Sequence, residues 1–260
     1  MRALAGAVAL ALLAGCAAVP RPPVAGAAPT SAPAAPPYDA WARVLAKHVD
    51  GAGRVDFAGV AKDRADLDRF VAYVYDTGPR TAPQLFPTRA HVLAYHLNAY
   101  NALAMYKVVE TGIPETLAGL RKVGFFALGK VRVDGEPVSL YAYQNEVIRP
   151  LGEPRVHFAL NCMVVSCPRL PREPFLAERL EAQLEQETRA FFAEPRNVAV
   201  DERARTVRLS EILDFYPADF LAAAPSLVAY VNRYRSPPVP PDYAVGFIPY
   251  DWTINRQPGR

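Results

Sequence analysis

The chain has 260 residues, 51% of them hydrophobic, with 29 basic against 26 acidic residues and a net charge of +3. That near balance excludes a dedicated nucleic-acid binder, which presents a strong basic stripe. There is no Gly-rich phosphate loop, internal repeat, cofactor motif or membrane-length apolar run, and four histidines and three cysteines leave few places for imidazole or thiol chemistry.

The N-terminus reads as an export signal. Arg2 supplies a minimal positive region, and the apolar run Ala3 to Leu13 is too short to span a bilayer. Leu13-Ala14-Gly15-Cys16 resembles the lipobox of bacterial lipoproteins. The resemblance implies that residues 1–15 are a cleaved signal peptide. Cys16 is then the lipidated first residue of the mature chain, with more than one acyl chain to hold it. The implied partner is the outer or inner membrane of a bacterial envelope. Ala17, where an inner-membrane retention signal would carry Asp, favours the outer membrane, with the domain facing the periplasm. In residues 17–37, 15 of 21 are Ala or Pro, so residues 16–37 form the lipidated cysteine and an extended linker. Residues 38–256 are long enough for one substantial globular domain.

Within that domain, Trp41, Val44, Leu45 and Val49 recur at helical spacing over Tyr38–Val49, and Asp50-Gly51-Ala52-Gly53 breaks the pattern. Arg54–Phe57 reads as a short extended piece and Val60–Tyr75 as a second helix that Gly78-Pro79 ends. Arg89–Glu110 is apolar on nearly every side, which marks a buried central helix, and Thr111-Gly112-Ile113-Pro114 terminates it. Val131–Val138 reads as a hairpin turning at Asp134-Gly135. Leu140–Ile148 reads as a helix, Val156–Asn161 as a short buried strand, and Pro174 as the first turn of a helix running to about Phe192. A second hairpin, Val198–Val200 with Thr206–Leu209, leads into a helical turn opened by Ser210 and Glu211. Ala224–Tyr234 is a late helix and Ala244–Ile248 a last strand before Tyr250-Asp251-Trp252. The expected class is α+β: a single helix-rich domain with short strands and hairpins around a buried central helix.

Four stretches match one pattern. Tyr95-His-Leu-Asn-Ala-Tyr-Asn-Ala-Leu103, Arg155–Pro168, Val207-Arg-Leu-Ser210 with Phe215-Tyr216, and Tyr250-Asp-Trp-Thr-Ile-Asn255 resemble, in order, the motifs of the domain of unknown function 547 family. The resemblance runs from about residue 40 to 256 and implies no assigned reaction. The chain departs from the family pattern at two points. His96 stands where the first motif carries tryptophan, and Gln144-Asn145 stand where the family often carries a Glu-His pair. A general base inherited at that second position is therefore absent.

Candidate chemistry centres on residues 155–170, which hold His157, Cys162 and Cys167. With Cys16 committed to lipid, these two cysteines have four readings. They form a disulfide in an oxidising compartment, provided the segment loops. Extended, it would hold the Cα atoms about 16 Å apart, against the roughly 7 Å a disulfide allows. Alternatively, Cys167 or Cys162 is a nucleophile with His157 or His96 as base and Asn98, Asn101 or Asp251 as orienter. On an uninterrupted strand His157 and Cys162 face opposite ways, which makes Cys167 the better partner for His157. A third reading is a thiolate metal site of His157, Cys162 and Cys167, whose spacing fits no zinc finger. In the fourth, the stretch is core. Asn98 and Asn101, three apart on the central helix, are expected to bind loop backbone. Arg149, Arg155, Arg169 and Arg172 suit an anionic ligand or surface pairs with Glu153, Glu173 and Glu178, and the pairs are preferred. Two functions follow: an envelope binding or scaffold domain stapled by Cys162–Cys167, acting on an unidentified ligand or protein, or a cysteine-dependent hydrolase or transferase acting on peptide-like bonds.

Overall fold

In the computed structural model, residue 22 and residues 35–259 are described; the expected signal peptide, Cys16 and most of the linker lie outside them. Helix α4, Arg89–Glu110, organises the domain. The Thr88 hydroxyl caps it by accepting from His91 N–H, and every residue from Leu93 to Val108 is buried. Its 22 residues span about 33 Å, with neighbours on all sides. Helix α1, Tyr38–His48, and α3, Ala65–Asp76, cover one flank. Between them lies α2, Phe57–Lys62, whose N-terminus Asp56 caps through Gly59 N–H. The single helix expected over residues 60–75 is therefore two, interrupted at Asp63 and Arg64. The Asp56 cap starts the first helix earlier than apolar spacing indicates.

Helix α5, Leu120–Lys122, continues as a π-helix, Val123–Leu128. The buried Lys107 ammonium on α4 holds this segment by donating to the carbonyls of Phe125 and Gly129. Strands β1, Lys130–Val133, and β2, Glu136–Ser139, form the expected antiparallel hairpin. Its turn residues Asp134 and Gly135 have φ of 51° and 85°, the conformation that Asp-Gly supplies at low cost. Helix α6, Leu140–Ala142, runs on as a π-helix, Tyr143–Ile148.

Residues 156–161 are not a strand. Pro154–Phe158 is a 3-10 helix, followed by a compact loop. A short apolar run carries no period that separates the two conformations, and Pro154 with the Glu153 cap selects the helical one. Helix α7, Leu180–Ala193, starts six residues later than Pro174 implies, because Asn98 on α4 binds both N–H and carbonyl of Phe175 and holds that segment out of the helix.

Strands β3, Val198–Asp201, and β4, Thr206–Ser210, pair antiparallel, and β5, Ala244–Ile248, adds parallel to β4. Helices α8, Ile212–Phe215, α9, Pro217–Leu221, and α10, Leu227–Val231, pack beside this sheet; α10 is shorter than the helix expected over residues 224–234. The molecule is thus a helix-rich α+β domain. It has two apolar cores, one around α4 and one around Phe158, Phe192, Phe220 and Tyr230. No helix among the described residues is long and apolar enough to cross a membrane.

Candidate functional site: a cleft at the seam of two cores

The 3-10 helix joins the cores. Val156 packs in the first core and Phe158 in the second, which places His157 between them. The following loop is clamped by amides. Asn101 on α4 donates to the carbonyl of Ala159 at 3.0 Å and accepts from the N–H of Asn161 at 2.7 Å. Asn161 in turn donates to Pro168 O and accepts from Met163 N–H. This fold brings the Cα atoms of Cys162 and Cys167 to 6.1 Å, and the two are joined as a disulfide. The Tyr250 hydroxyl lies 3.3 Å from each sulfur.

Beside this loop is a cleft of about 340 Å3. It is lined by Lys122 and Phe126 from the α5 segment, by Phe215 and Tyr216, and by Tyr250 and Trp252 from the C-terminal segment. Gln144 and Asn145 line it too. Gln144 accepts from the Tyr100 hydroxyl at 3.3 Å and donates to that of Tyr216 at 3.1 Å.

His157 is the polar centre of the cleft. Its Nε2 lies 2.7 Å from Asp219 Oδ2, and its ring stacks on Tyr216 with centroids 4.2 Å apart. Arg149 binds the Asp219 carboxylate through two hydrogen bonds of 2.8 Å and accepts positioning from Asn145, whose side-chain oxygen takes its third donor at 2.7 Å. Hydrogen bonds from His157 and then from Arg149 hold the Asp219 carboxyl well below the usual carboxylate range, against the opposing effect of burial. Burial pushes the His157 imidazolium to lower pKa in spite of the neighbouring carboxylate, so the ring is neutral at neutral pH. The carboxylate partner assigns the ring proton to Nε2. Nδ1 is then a bare acceptor, and it is one of three buried side-chain atoms without a hydrogen-bond partner among the described residues.

Of the candidate catalytic residues, His157 and Cys162 line the cleft, and Cys167 is bonded to Cys162. The others are elsewhere. His96 bonds the Tyr143 hydroxyl at 2.8 Å, inside the first core. Both amides, Asn98 and Asn101, are spent on backbone. Asp251 is exposed and accepts from Thr253 N–H. None of these four has a hydrogen bond to either cysteine or to His157. The set His157, Cys162 and Cys167 does not form a ligand cluster, because the sulfurs bind each other and Nε2 binds Asp219. Arg155 pairs with Glu153 and Glu181, and Arg169 with Glu187. Only the Arg155–Glu153 pair is among those expected; Arg169 finds the buried Glu187, and Glu173 pairs with Arg179 instead. Asp219 and Lys122 were not legible as site residues. The one local signal for Asp219 is its position in the first turn of a helix opened by Pro217, where carboxylates are favoured.

A helix-rich α+β fold with a polar-centred aromatic cleft defines a class of architecture but no reaction. Residues 85–192 match the model of a family described as "Protein of unknown function, DUF547", and over this part the chain is similar to that family. No curated protein and no solved structure matches the chain. His157, the disulfide and Arg149 fall inside the matched segment; Tyr216, Asp219, Tyr250 and Trp252 lie beyond it.

Proposed function

We propose that the protein is a lipid-anchored binding domain of the bacterial cell envelope, tethered through Cys16 and taking a small ligand into the seam cleft. The observation that carries the reading is His157. A neutral imidazole has one nitrogen committed to Asp219 and the other buried without a partner in the wall of an aromatic cleft. Clefts with apolar walls and a few placed polar groups are the usual form of small-molecule sites, and an unpaired buried acceptor costs stability unless something fills its need. The Cys162–Cys167 bond supports binding over the cysteine-dependent hydrolase, since neither bonded sulfur is available as a thiolate. Its role is then to staple the loop that forms the cleft floor.

Two measurements test this. Alkylation of the full chain without reduction, read by intact mass, should leave Cys162 and Cys167 unmodified; two thiols, one of them fast at neutral pH, would return the hydrolase. Incorporation of labelled palmitate that is lost in Cys16→Ser checks the anchor, and labelling that survives the substitution removes it.

A further inference from the structure

Resting on the binding reading above, the geometry points to the class of ligand: we propose that the cleft takes the carboxylate-bearing ring of an acidic saccharide. Charge is the first argument. Lys122 and Arg149 line the cleft, and no Asp or Glu is among its lining side chains. Arg149 is neutralised by the bidentate Asp219 pair. Lys122 lies over the Trp252 ring at 4.0 Å from its centroid and near Phe215 at 5.8 Å, with no ion pair to any described residue. The net charge offered to a ligand is therefore one ammonium, held at the wall by two aromatic faces. A cationic ligand is repelled and a carboxylate is attracted.

The hydrogen-bonding pattern is the second argument. His157 Nδ1 requires a donor. The Tyr216 hydroxyl accepts from Gln144 and so has its own proton to give. A ligand that satisfies both carries hydroxyl groups, which donate and accept at once. A fatty acid or other purely apolar anion offers His157 Nδ1 no donor. Shape is the third argument. The lining includes the aromatic rings of Phe126, Phe215, Tyr250 and Trp252, side chains suited to the flat C–H faces of a sugar ring. The volume of about 340 Å3 is at the small end of the roughly 300–1,000 Å3 range of ligand sites, which suits one or two rings.

The test uses the full chain in detergent, titrated by ligand-observed NMR with three probes: D-glucuronate, D-glucose and cyclohexanecarboxylate. Glucuronate should bind more tightly than either probe lacking one of its two features. The preference over glucose should be roughly fivefold, the scale of one exposed ion pair. Lys122→Gln, an exposed substitution, should erase that preference. His157→Phe keeps the ring on Tyr216 and should weaken glucuronate and glucose alike by about tenfold, with cyclohexanecarboxylate unchanged. Tyr216→Phe provides a second, milder loss of hydroxyl recognition should His157→Phe not fold. If glucose or cyclohexanecarboxylate binds as tightly as glucuronate, the acidic-saccharide assignment is overturned while the binding cleft stands. If none of the three binds, both fall.

Discussion

The two cores are built by opposite means. The first surrounds one 22-residue helix whose middle sixteen residues are all buried; the second assembles from the end of α7, three helices of four or five residues and three short strands. Helices of that length have no independent stability, because nucleation costs more than a single turn returns. The second core therefore depends on its aromatic cluster. Phe158, fully buried, touches Phe191, Phe192, Phe220 and Tyr230 at centroid distances of 4.7 to 6.3 Å. Because Phe158 adjoins His157, the residue that secures the weaker core also sets the polar centre of the cleft. A site at such a seam draws rigidity from one side and adaptability from the other.

Removing the shared residue should break this dependence most strongly. Phe158→Ala should cost about 4 kcal/mol, and calorimetry should show the transition of the second core moving well below that of the first. A single cooperative transition at a slightly lower temperature would show that the cores are not energetically distinct.

Acid should act on the first core and the seam together. Burial lowers His96 to about 4 and lowers His157 as well, while both titrate near 6.5 in an unfolded chain. Between those values the unfolded state binds more protons, so stability falls as pH drops from about 6.5 towards 4. His96 alone contributes on the order of 3 kcal/mol to this loss. Asp219, with its depressed pKa, adds to it at still lower pH. Urea midpoints across that window check the slope, and His96→Phe should flatten it. An unchanged slope in His96→Phe would show that His96 is not the buried neutral group responsible.

The disulfide closes only a short loop, so the double substitution Cys162→Ser, Cys167→Ser should cost about 2 kcal/mol, with the larger consequence for ligand affinity. Lys122→Gln tests the other extreme. Lys122 is an exposed side chain of the cleft wall, and its loss should change stability by less than about 0.5 kcal/mol. A large destabilisation there would mean that the α5 segment, not only the second core, is marginal.

The asymmetry between the cores also governs what could be read from sequence. α4 was legible to the residue because an all-round apolar pattern between Thr88 and Thr111-Gly112 has one physical solution, and the first hairpin followed from its Asp134-Gly135 turn. The disulfide was one of four readings, since it depends on a loop that Asn101 and Asn161 hold from inside the core. His157 was recognised as a chemical residue, but its partner was not. Asp219 is 62 positions away on a five-residue helix with no periodic signal. The extended reading of residues 156–161, and with it the parity argument that favoured Cys167 over Cys162 as the partner of His157, failed for a related reason. Tertiary demand on Val156 and Phe158 from two different cores selected a tight 3-10 turn that a run of apolar residues does not announce.

The C-terminal segment has a consequence for the order of assembly. Residues 253–256 bridge to Val55, Thr116 and Val164, and β5 reaches β4 only across the intervening α8–α10. These are contacts of long sequence separation, which form late because the chain must first give up the freedom of the intervening loops. Tyr250 and Trp252 lie next to this clasp. For a chain emerging from its N-terminal end, the α4 core can condense early. The cleft has no complete wall until residues 250–252 have arrived, so a folding intermediate of this protein would have a stable interior and no ligand site.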